Sequence, residues 1–270
     1  MSEAFATSKT VTTELGRINQ LAGSVAVTSL PVYMAATLNA KYGVLADVMP
    51  TEIPKIQYFG IGIKGFANVS TEKNIAQPYQ PKSTNMDLYE PIPFRCVERP
   101  LSQEEAKQYR MVTTKIINGK TYYMYYLKLL DLGSGVQFTR ISEKGVTSSN
   151  TLNTANLYPT PSAINGSDVD SDTTRSTASI TATRIITGEE VVEAINVLYN
   201  GDLRRARISE FGLYTGVETR ATRAGIDYEY DEASYVQLAS HQCCIGYDCS
   251  NVNTRIEERC VISGGELINI

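Results

Sequence analysis

The strongest constraint on the fold is a hairpin signal near the middle of the chain. Two runs rich in β-branched and aromatic residues, M-V-T-T-K-I-I and K-T-Y-Y-M-Y-Y-L-K-L-L, flank the dipeptide Asn118-Gly119. That dipeptide tolerates the positive φ angles that both central residues of a type I′ turn require. The pattern therefore predicts two antiparallel strands joined by a two-residue turn.

The rest of the chain extends this β pattern. The aromatic and branched residues over 53–66, a run from Val136, and the segments S-T-A-S-I-T-A-T-R-I-I-T and R-R-A-R-I-S-E-F-G-L-Y-T-G each predict a strand. Because these strands do not alternate regularly with helices, a parallel sheet of βαβ units is not favoured. We predict a mainly β fold, with a β-sandwich or barrel-like core, two or three short helices, extended arms and long loops.

The short helices are predicted from residues that start and stop helices. These signals are Pro31 and Gly43, Ser102 with Glu105, and Thr187 with Glu190 followed by Asn200-Gly201. The apolar residues that precede the first of these helices are scattered, without a period of 2 or 3.6. We therefore expect the beginning of the chain to be an arm.

The composition along the chain predicts its organisation. We expect residues 1–50 to form an N-terminal arm and a short helix, and residues 51–270 to form the β-rich core. Five prolines lie in 74–100 and exclude both a helix and a central strand, which predicts an extended segment on a surface. Ser, Thr, Asn and Asp dominate 145–175, which predicts a long polar loop.

The bulk composition narrows the class of protein and of partner. The 270 residues are 42% hydrophobic and 20% charged, which is typical of a globular chain. A net charge of −4 offers no basic surface for nucleic acid, so we expect no sequence-specific nucleic-acid partner. The beginning lacks a secretory pattern, and no apolar run is long enough for a membrane span, so we expect no membrane partner. Seventeen tyrosines suit subunit interfaces, although tyrosine is also a good strand former.

Three glycines form the pattern G-x-G-x-x-G at Gly60, Gly62 and Gly65. A dinucleotide site needs a helix that begins at the third glycine, and F-A-N-V-S-T-E-K-N-I-A-Q-P-Y-Q-P cannot form one. Glycine inside a strand also marks a place where another backbone comes close. We therefore interpret the pattern as a packing groove, which in a ring protein would receive a neighbour's arm.

The residues that are capable of chemistry do not form a recognisable motif. The five cysteines are Cys96, Cys243, Cys244, Cys249 and Cys260. Their spacing lacks the C-x2-C pairs of a zinc site, and His241 is the only histidine. Buried or free thiols are the favoured interpretation, and disulfide formation stays open.

Two further patterns favour solvent-exposed or structural roles. His241 and Cys243 lie on one face of a strand without an orienting third group, which argues against a Cys/His nucleophile. Asp168, Asp170 and Asp172 alternate as in a calcium loop, but the glycine and the final acid of an EF-hand are missing. We therefore predict no enzyme, no catalytic, cofactor-binding or metal-binding residue, and no cofactor.

Three blocks of the sequence carry a resemblance to a known class of protein. They are E-I-P-K-I-Q-Y-F-G-I-G-I-K-G-F, N-M-D-L-Y-E-P-I-P-F-R and R-I-S-E-F-G-L-Y-T-G. Together they resemble segments of structural proteins of tailed-bacteriophage virions. The third block is similar to the E-x-G-L-Y strands of tail and baseplate components.

The resemblance implies a function and a location. It implies a non-enzymatic virion protein, assembled in the cytoplasm of the host bacterium. We expect a ring-forming neck, collar or tail connector subunit that binds copies of itself and portal-side, tail or baseplate proteins through β surfaces and extended arms. The alternatives are a baseplate or receptor- and glycan-binding β module and, third, a thiol-dependent enzyme.

Overall fold

The structure is a computed structural model, and it describes residues 8–24, 37–45, 52–68, 76–133, 137–141, 147–150 and 175–264. The strands are β1 (Lys9–Thr12), β2 (Lys55–Gly62), β3 (Phe66–Asn68), β4 (Ala76–Pro78), β5 (Pro91–Ile92), β6 (Arg95–Val97), β7 (Tyr109–Ile117), β8 (Lys120–Leu129), β9 (Asp131–Leu132), β10 (Gln137–Ile141), β11 (Thr147–Asn150), β12 (Arg175–Thr187), β13 (Arg207–Arg223), β14 (Ile226–Asp248) and β15 (Arg255–Gly264). The helices are α1 (Glu14–Ser24), α2 (Leu38–Tyr42), α3 (Gln103–Ala106) and α4 (Gly188–Leu198).

The prediction of a mainly β fold with few helices is confirmed. The main sheet has the order β1-β14-β13-β2-β8-β6, with β5 paired to β2 and β7 paired to β8. The strand pairs of this sheet are antiparallel in the described residues. Within the described ranges, no helix combines the length and the apolar composition needed to cross a membrane.

The predicted hairpin is confirmed as β7 and β8. Ile117 pairs with Lys120, so the loop between the strands has two residues. Asn118 has φ 50° and Gly119 has φ 79°, the two positive angles that a type I′ turn requires. The turn residues therefore determine where the strands reverse.

Replacing Gly119 by Ala should lower the free energy of unfolding by about 1 kcal/mol, because a side chain at φ 79° is strained even though the space around this residue is open. Urea unfolding followed by circular dichroism measures the change. Asn118→Gly is the matched control, since glycine adopts its φ without strain. A larger loss for Asn118→Gly than for Gly119→Ala would contradict the turn assignment.

The expectation of an arm is wrong for residues 9–24. Strand β1 is part of the main sheet, where Lys9 pairs with Cys243. Helix α1 follows because Thr13 is buried, its hydroxyl donates to Leu238 O, and Gly16 N donates to Thr13 Oγ1 at 3.0 Å. A Cβ on Gly16 would lie 2.3 Å from Ala239 O, so the helix lies directly against β14. Tertiary contacts therefore order a segment that has no periodic pattern.

The other predicted helix starts and stops are confirmed where they lie in the described residues. Gly43 ends α2 with φ 62°, whereas Pro31 lies outside the described residues. Ser102 and Thr187 each form a capping box at the start of α3 and α4. With α1 there are four helices in the described part, one more than the upper prediction.

The proline-rich segment contains no helix from 76 to 100, as predicted. Leu88, Ile92 and Phe94 are buried, whereas Tyr79 and Tyr89 are each 39% exposed. The segment is therefore held on the main sheet by its apolar side chains, and its backbone comes close to β2 and β13.

Tyrosine fills much of the interior. Tyr58, Tyr125 and Tyr214 are among the largest fully buried side chains. Tyr58 donates to Glu218 Oε1 at 2.5 Å, and Tyr214 donates to Asp87 Oδ1 at 3.2 Å. These rings supply apolar area while each hydroxyl keeps a partner, as buried tyrosines require.

The chain divides into two compact units, and their boundaries in the sequence differ from the predicted boundary at residue 50. One unit holds 1–130 and 185–257, and the other holds 131–184 and 258–270. A five-stranded sheet of order β11-β10-β12-β15, with β9 paired to β12, accounts for the strands of 131–184. Within the predicted loop over 145–175, Thr147–Asn150 is a strand because it pairs with β10, and 151–174 lies outside the described residues.

Strand β7 contacts β14, although β13, β2 and β8 lie between them in the order of the main sheet. The amides of Met111 and Val112 in β7 donate to the Glu232 carboxylate at 2.5 and 3.0 Å, and Ala233 N donates to it at 2.9 Å. Glu232 is fully buried, and burial raises its pKa to about 7, against the three amides and Arg110, which lower it. Glu232 therefore links β7 to β14, and the free-energy cost of keeping this carboxyl ionised in the interior makes the stability depend on pH.

Stability should fall as the pH rises from about 5 to about 8. The folded-state pKa of Glu232, about 7, lies above the ordinary 4.5, so folding favours the protonated form and that contribution is lost as the carboxyl ionises. The shift corresponds to a loss of at most about 3 kcal/mol. Urea unfolding at several pH values measures it. Glu232→Gln should remove this part of the pH dependence, and an unchanged slope in that variant would contradict the assignment.

Candidate functional site

A buried carboxylate lies at the centre of the main sheet. Glu210 in β13 is opposite Gly62 of β2 on one side and opposite Cys243 of β14 on the other. In an antiparallel sheet, directly opposed residues project from the same face. Gly212, two residues further along β13, is opposite His241 and Gly60. This face therefore combines an acid, a thiol, an imidazole and three positions without side chains.

The Glu210 carboxylate accepts hydrogen bonds from two separate segments. Its Oε1 accepts from Tyr89 N at 2.7 Å. Its Oε2 accepts from Lys64 N at 3.0 Å and from Glu90 N at 3.1 Å. The carboxylate thus joins the end of β2 and the proline-rich segment to β13, and it supplies an acceptor to three partly buried amides.

Gly62 leaves room for this carboxylate. A Cβ at Gly62 would lie 2.7 Å from Glu210 Oε2 and 2.8 Å from Glu90 O. The interpretation of the glycine pattern as a groove that receives a backbone is therefore correct. The backbone is that of Glu90 in the same chain, so the expectation of a neighbour's arm at this position is wrong.

Gly65 brings the chain against β13 just beyond β2. Gly65 N donates to Ser209 Oγ at 2.8 Å, and a Cβ at this position would lie 1.8 Å from Ser209 O. A strand, β3, follows Gly65 instead of the helix that a dinucleotide fingerprint needs. Steric contact with β13 explains why glycine stands at this position.

His241 lies beside the carboxylate and has neighbours at both ring nitrogens. Its Nε2 is 3.1 Å from Glu210 Oε1 and 3.5 Å from Cys243 Sγ. Its Nδ1 is 2.9 Å from Asn85 Nδ2, and the ring centroid is 4.9 Å from that of Tyr89. His241, Glu210 and Cys243 are all fully buried. They bring one potential metal-ligating atom each to within 4.8 Å of one another.

This arrangement does not suit a nucleophilic cysteine. In a Cys–His–acid triad the imidazole contacts the thiol with one nitrogen and the acid with the other. Here Cys243 and Glu210 both approach Nε2. Burial, with Glu210 and Cys244 nearby, raises the pKa of the Cys243 thiol to about 12, so in the absence of a bound cation the thiol is protonated at neutral pH.

Comparison with known proteins identifies the family. A family profile, described as a family of unknown function (DUF7208), matches residues 1–258. The chain belongs to this family. No curated protein and no solved structure matches it.

In this DUF7208 member, the other thiols also suit structural positions. All five cysteines lie in described ranges, and none of them forms a disulfide in the structure. Burial raises the pKa of Cys96 to about 12 and that of Cys249 to about 11, and it also raises the pKa of Cys260. Cys260 alone among the five is partly exposed. Asp168, Asp170 and Asp172 lie outside the described residues.

Sequence reasoning missed Glu210 and Asn85. The spacing of cysteine and histidine does not reveal the cluster, because its third member, Glu210, comes from another strand. A signal was present, because an acid inside the apolar strand R-I-S-E-F-G-L-Y-T-G is unusual for a buried position. Its partners were not readable, since they depend on strand register and on the path of the proline-rich segment.

Proposed function

We propose that this DUF7208 member is a non-enzymatic structural subunit of a tailed-bacteriophage virion, acting as a ring-forming neck, collar or tail connector. The observation that carries the proposal is the convergence of the three resembling blocks. Glu210 belongs to the third block, Lys64 to the first, and Tyr89 and Glu90 to the second. Residues from the three blocks that resemble virion proteins thus contact one another around Glu210.

The arrangement of reactive groups supports a structural role. The imidazole and four of the five thiols are buried among packing contacts, and Cys243 and Glu210 approach the same nitrogen of His241 rather than opposite ones. Acids such as Glu210 and Glu232 use their oxygens to bind backbone amides. These carboxylates connect separate segments of the chain, which is a structural role.

The edges of the main sheet support assembly through strands. The free side of β7 is occupied by the Glu232 carboxylate and by Arg223, which donates to Val112 O. By contrast, β1 is an outer strand that pairs only with β14 among the described strands. An outer strand presents backbone groups that a neighbouring copy can pair with, and closed rings are built from such repeated heterologous contacts.

The molecular mass in solution tests the proposal. Light scattering of the purified protein is expected to give a fixed multiple of 29.7 kDa at micromolar concentration. Cryo-electron microscopy of the source particle is expected to place the chain in a ring at the neck or the tail. A strict monomer with a thiol that alkylates rapidly at neutral pH would overturn the proposal and favour a thiol-dependent enzyme. A particle that lacks the chain would overturn the virion assignment itself.

A further inference from the structure

The cluster of Glu210, His241 and Cys243 has the donor atoms of a zinc site. Zinc(II) in proteins is bound by imidazole nitrogen, thiolate sulfur and carboxylate oxygen, and this cluster presents one of each. All three side chains are fully buried. The mixture of a soft sulfur with nitrogen and oxygen favours zinc over magnesium or calcium, which prefer oxygen ligands.

Two potential ligand atoms approach the single nitrogen Nε2 of His241. Glu210 Oε1 at 3.1 Å and Cys243 Sγ at 3.5 Å both approach this one nitrogen. A protonated Nε2 has one hydrogen to donate, and an unprotonated Nε2 has one lone pair to accept with. One of the two contacts therefore lacks a linear hydrogen bond, whereas a single cation between the three atoms would satisfy all of them.

The distances agree with tetrahedral coordination. Zn–N of about 2.05 Å and Zn–S of about 2.3 Å place nitrogen and sulfur about 3.5 Å apart at the tetrahedral angle. The corresponding nitrogen-to-oxygen separation is about 3.3 Å. The observed 3.5 and 3.1 Å match these two separations, and all three donor atoms lie within 4.8 Å of one another.

The local charge also calls for a cation. The buried Glu210 carboxylate lies 3.1 Å from the His241 imidazole, which carries a charge only when it is protonated. A zinc(II) ion with Glu210 as carboxylate and Cys243 as thiolate would be electrically neutral. Binding would release the thiol proton to solvent. Neutrality matters here because an uncompensated charge in a fully buried position is costly.

A second set of contacts holds the ligands in place. The Asn85 amide contacts His241 Nδ1 at 2.9 Å, which orients the ring with Nε2 toward the other two ligands. Tyr89 N and the amides of Lys64 and Glu90 hold the Glu210 carboxylate. Metal-binding histidines and carboxylates are commonly fixed by such outer contacts.

We propose that Glu210, His241 and Cys243 bind one zinc(II) ion, which joins β13 and β14 beneath the proline-rich segment. We assign the site a structural role because all three ligand side chains are fully buried. The proposal stands on the three side chains alone, so it does not depend on the proposed role in the virion.

Metal analysis of the purified protein tests the site directly. The protein is expressed with zinc in the medium, and elemental analysis is expected to find about one zinc per chain. Expression with cobalt(II) instead should give tetrahedral d–d absorption and a sulfur-to-cobalt charge-transfer band. Cys243→Ser should abolish that band and lower the metal content by about tenfold or more.

Cys244→Ser is the matched control. Cys244 is the adjacent buried cysteine, its Sγ lies 3.6 Å from Ser209 O, and it is outside the ligand set. This variant should keep both the metal and the band. If Cys243→Ser does not fold, X-ray absorption of the wild-type zinc protein decides instead, with one sulfur and otherwise nitrogen and oxygen neighbours expected. Wild-type protein without stoichiometric metal, or zinc without a sulfur neighbour, would overturn the proposal.

Discussion

Glu210→Ala is expected to lower the free energy of unfolding by about 2–4 kcal/mol, because it removes one buried acceptor shared by three partly buried amides, and such hydrogen bonds contribute about 0.5–1.5 kcal/mol each. These amides belong to Lys64, Tyr89 and Glu90. A loss of this size is a large part of the total stability of an ordinary domain. Urea unfolding followed by circular dichroism measures it.

Two further variants make the Glu210 prediction specific. Glu229→Ala removes an exposed acid from β14 and should change stability by less than about 0.5 kcal/mol. Glu210→Gln keeps the shape of the side chain but replaces one acceptor oxygen by a donor, so its loss should lie between those of the two alanine variants. A Glu210→Ala protein as stable as Glu229→Ala would show that the amides find other partners and that the junction is not held by this carboxylate.

Gly65→Ala should cost more than about 3 kcal/mol, since overpacking against rigid backbone is worse than overpacking in a soft core. The new Cβ would lie 1.8 Å from Ser209 O, which belongs to the backbone of β13 and cannot rotate away. The chain beyond β2 must then separate from β13, and Gly65 N loses its bond to Ser209 Oγ. Thermal and urea unfolding measure the loss.

Gly133→Ala is the control for the Gly65 prediction. A Cβ at Gly133 would meet only Thr181 O, at 3.1 Å, and its backbone angle is not in the left-handed region. This variant should lose no more than about 1 kcal/mol. Added dinucleotide should stabilise neither variant nor the wild type. Equal losses at Gly65 and Gly133, or a clear stabilisation by dinucleotide, would contradict the interpretation of G-x-G-x-x-G as a packing element.

The local elements were predictable because their signals lie within a few residues. Asn118-Gly119 determines its own backbone angles, and Ser102 with Glu105 supplies both halves of a capping box. Prolines likewise exclude helix over 76–100 without help from the rest of the chain. The thiols were predicted to be buried or free, and four of the five are buried.

The errors share one cause, which is the influence of distant residues. Helix α1 has no periodic pattern, yet Thr13 and Gly16 meet β14 more than 220 residues further along the chain and fix its start. The sequence of Thr147–Asn150 is polar and predicts a loop, but this segment is a strand because it pairs with β10. In both cases tertiary contact outweighs weak local preference, as propensities of this size allow.

The sequence by itself determined the class of the fold, its hairpin, its helix caps and the extended course of the proline-rich segment, because backbone angles and capping bonds are decided between near neighbours. Only the tertiary structure decided what Gly62, Glu210, His241 and Cys243 do together. Glu210 is 31 residues from His241 and 120 from Glu90, so their contact depends on strand register and on the path of the segment over the sheet. A carboxylate can accept from the amides of any segment, so the residues next to Glu210 in the sequence do not indicate which amides it will bind.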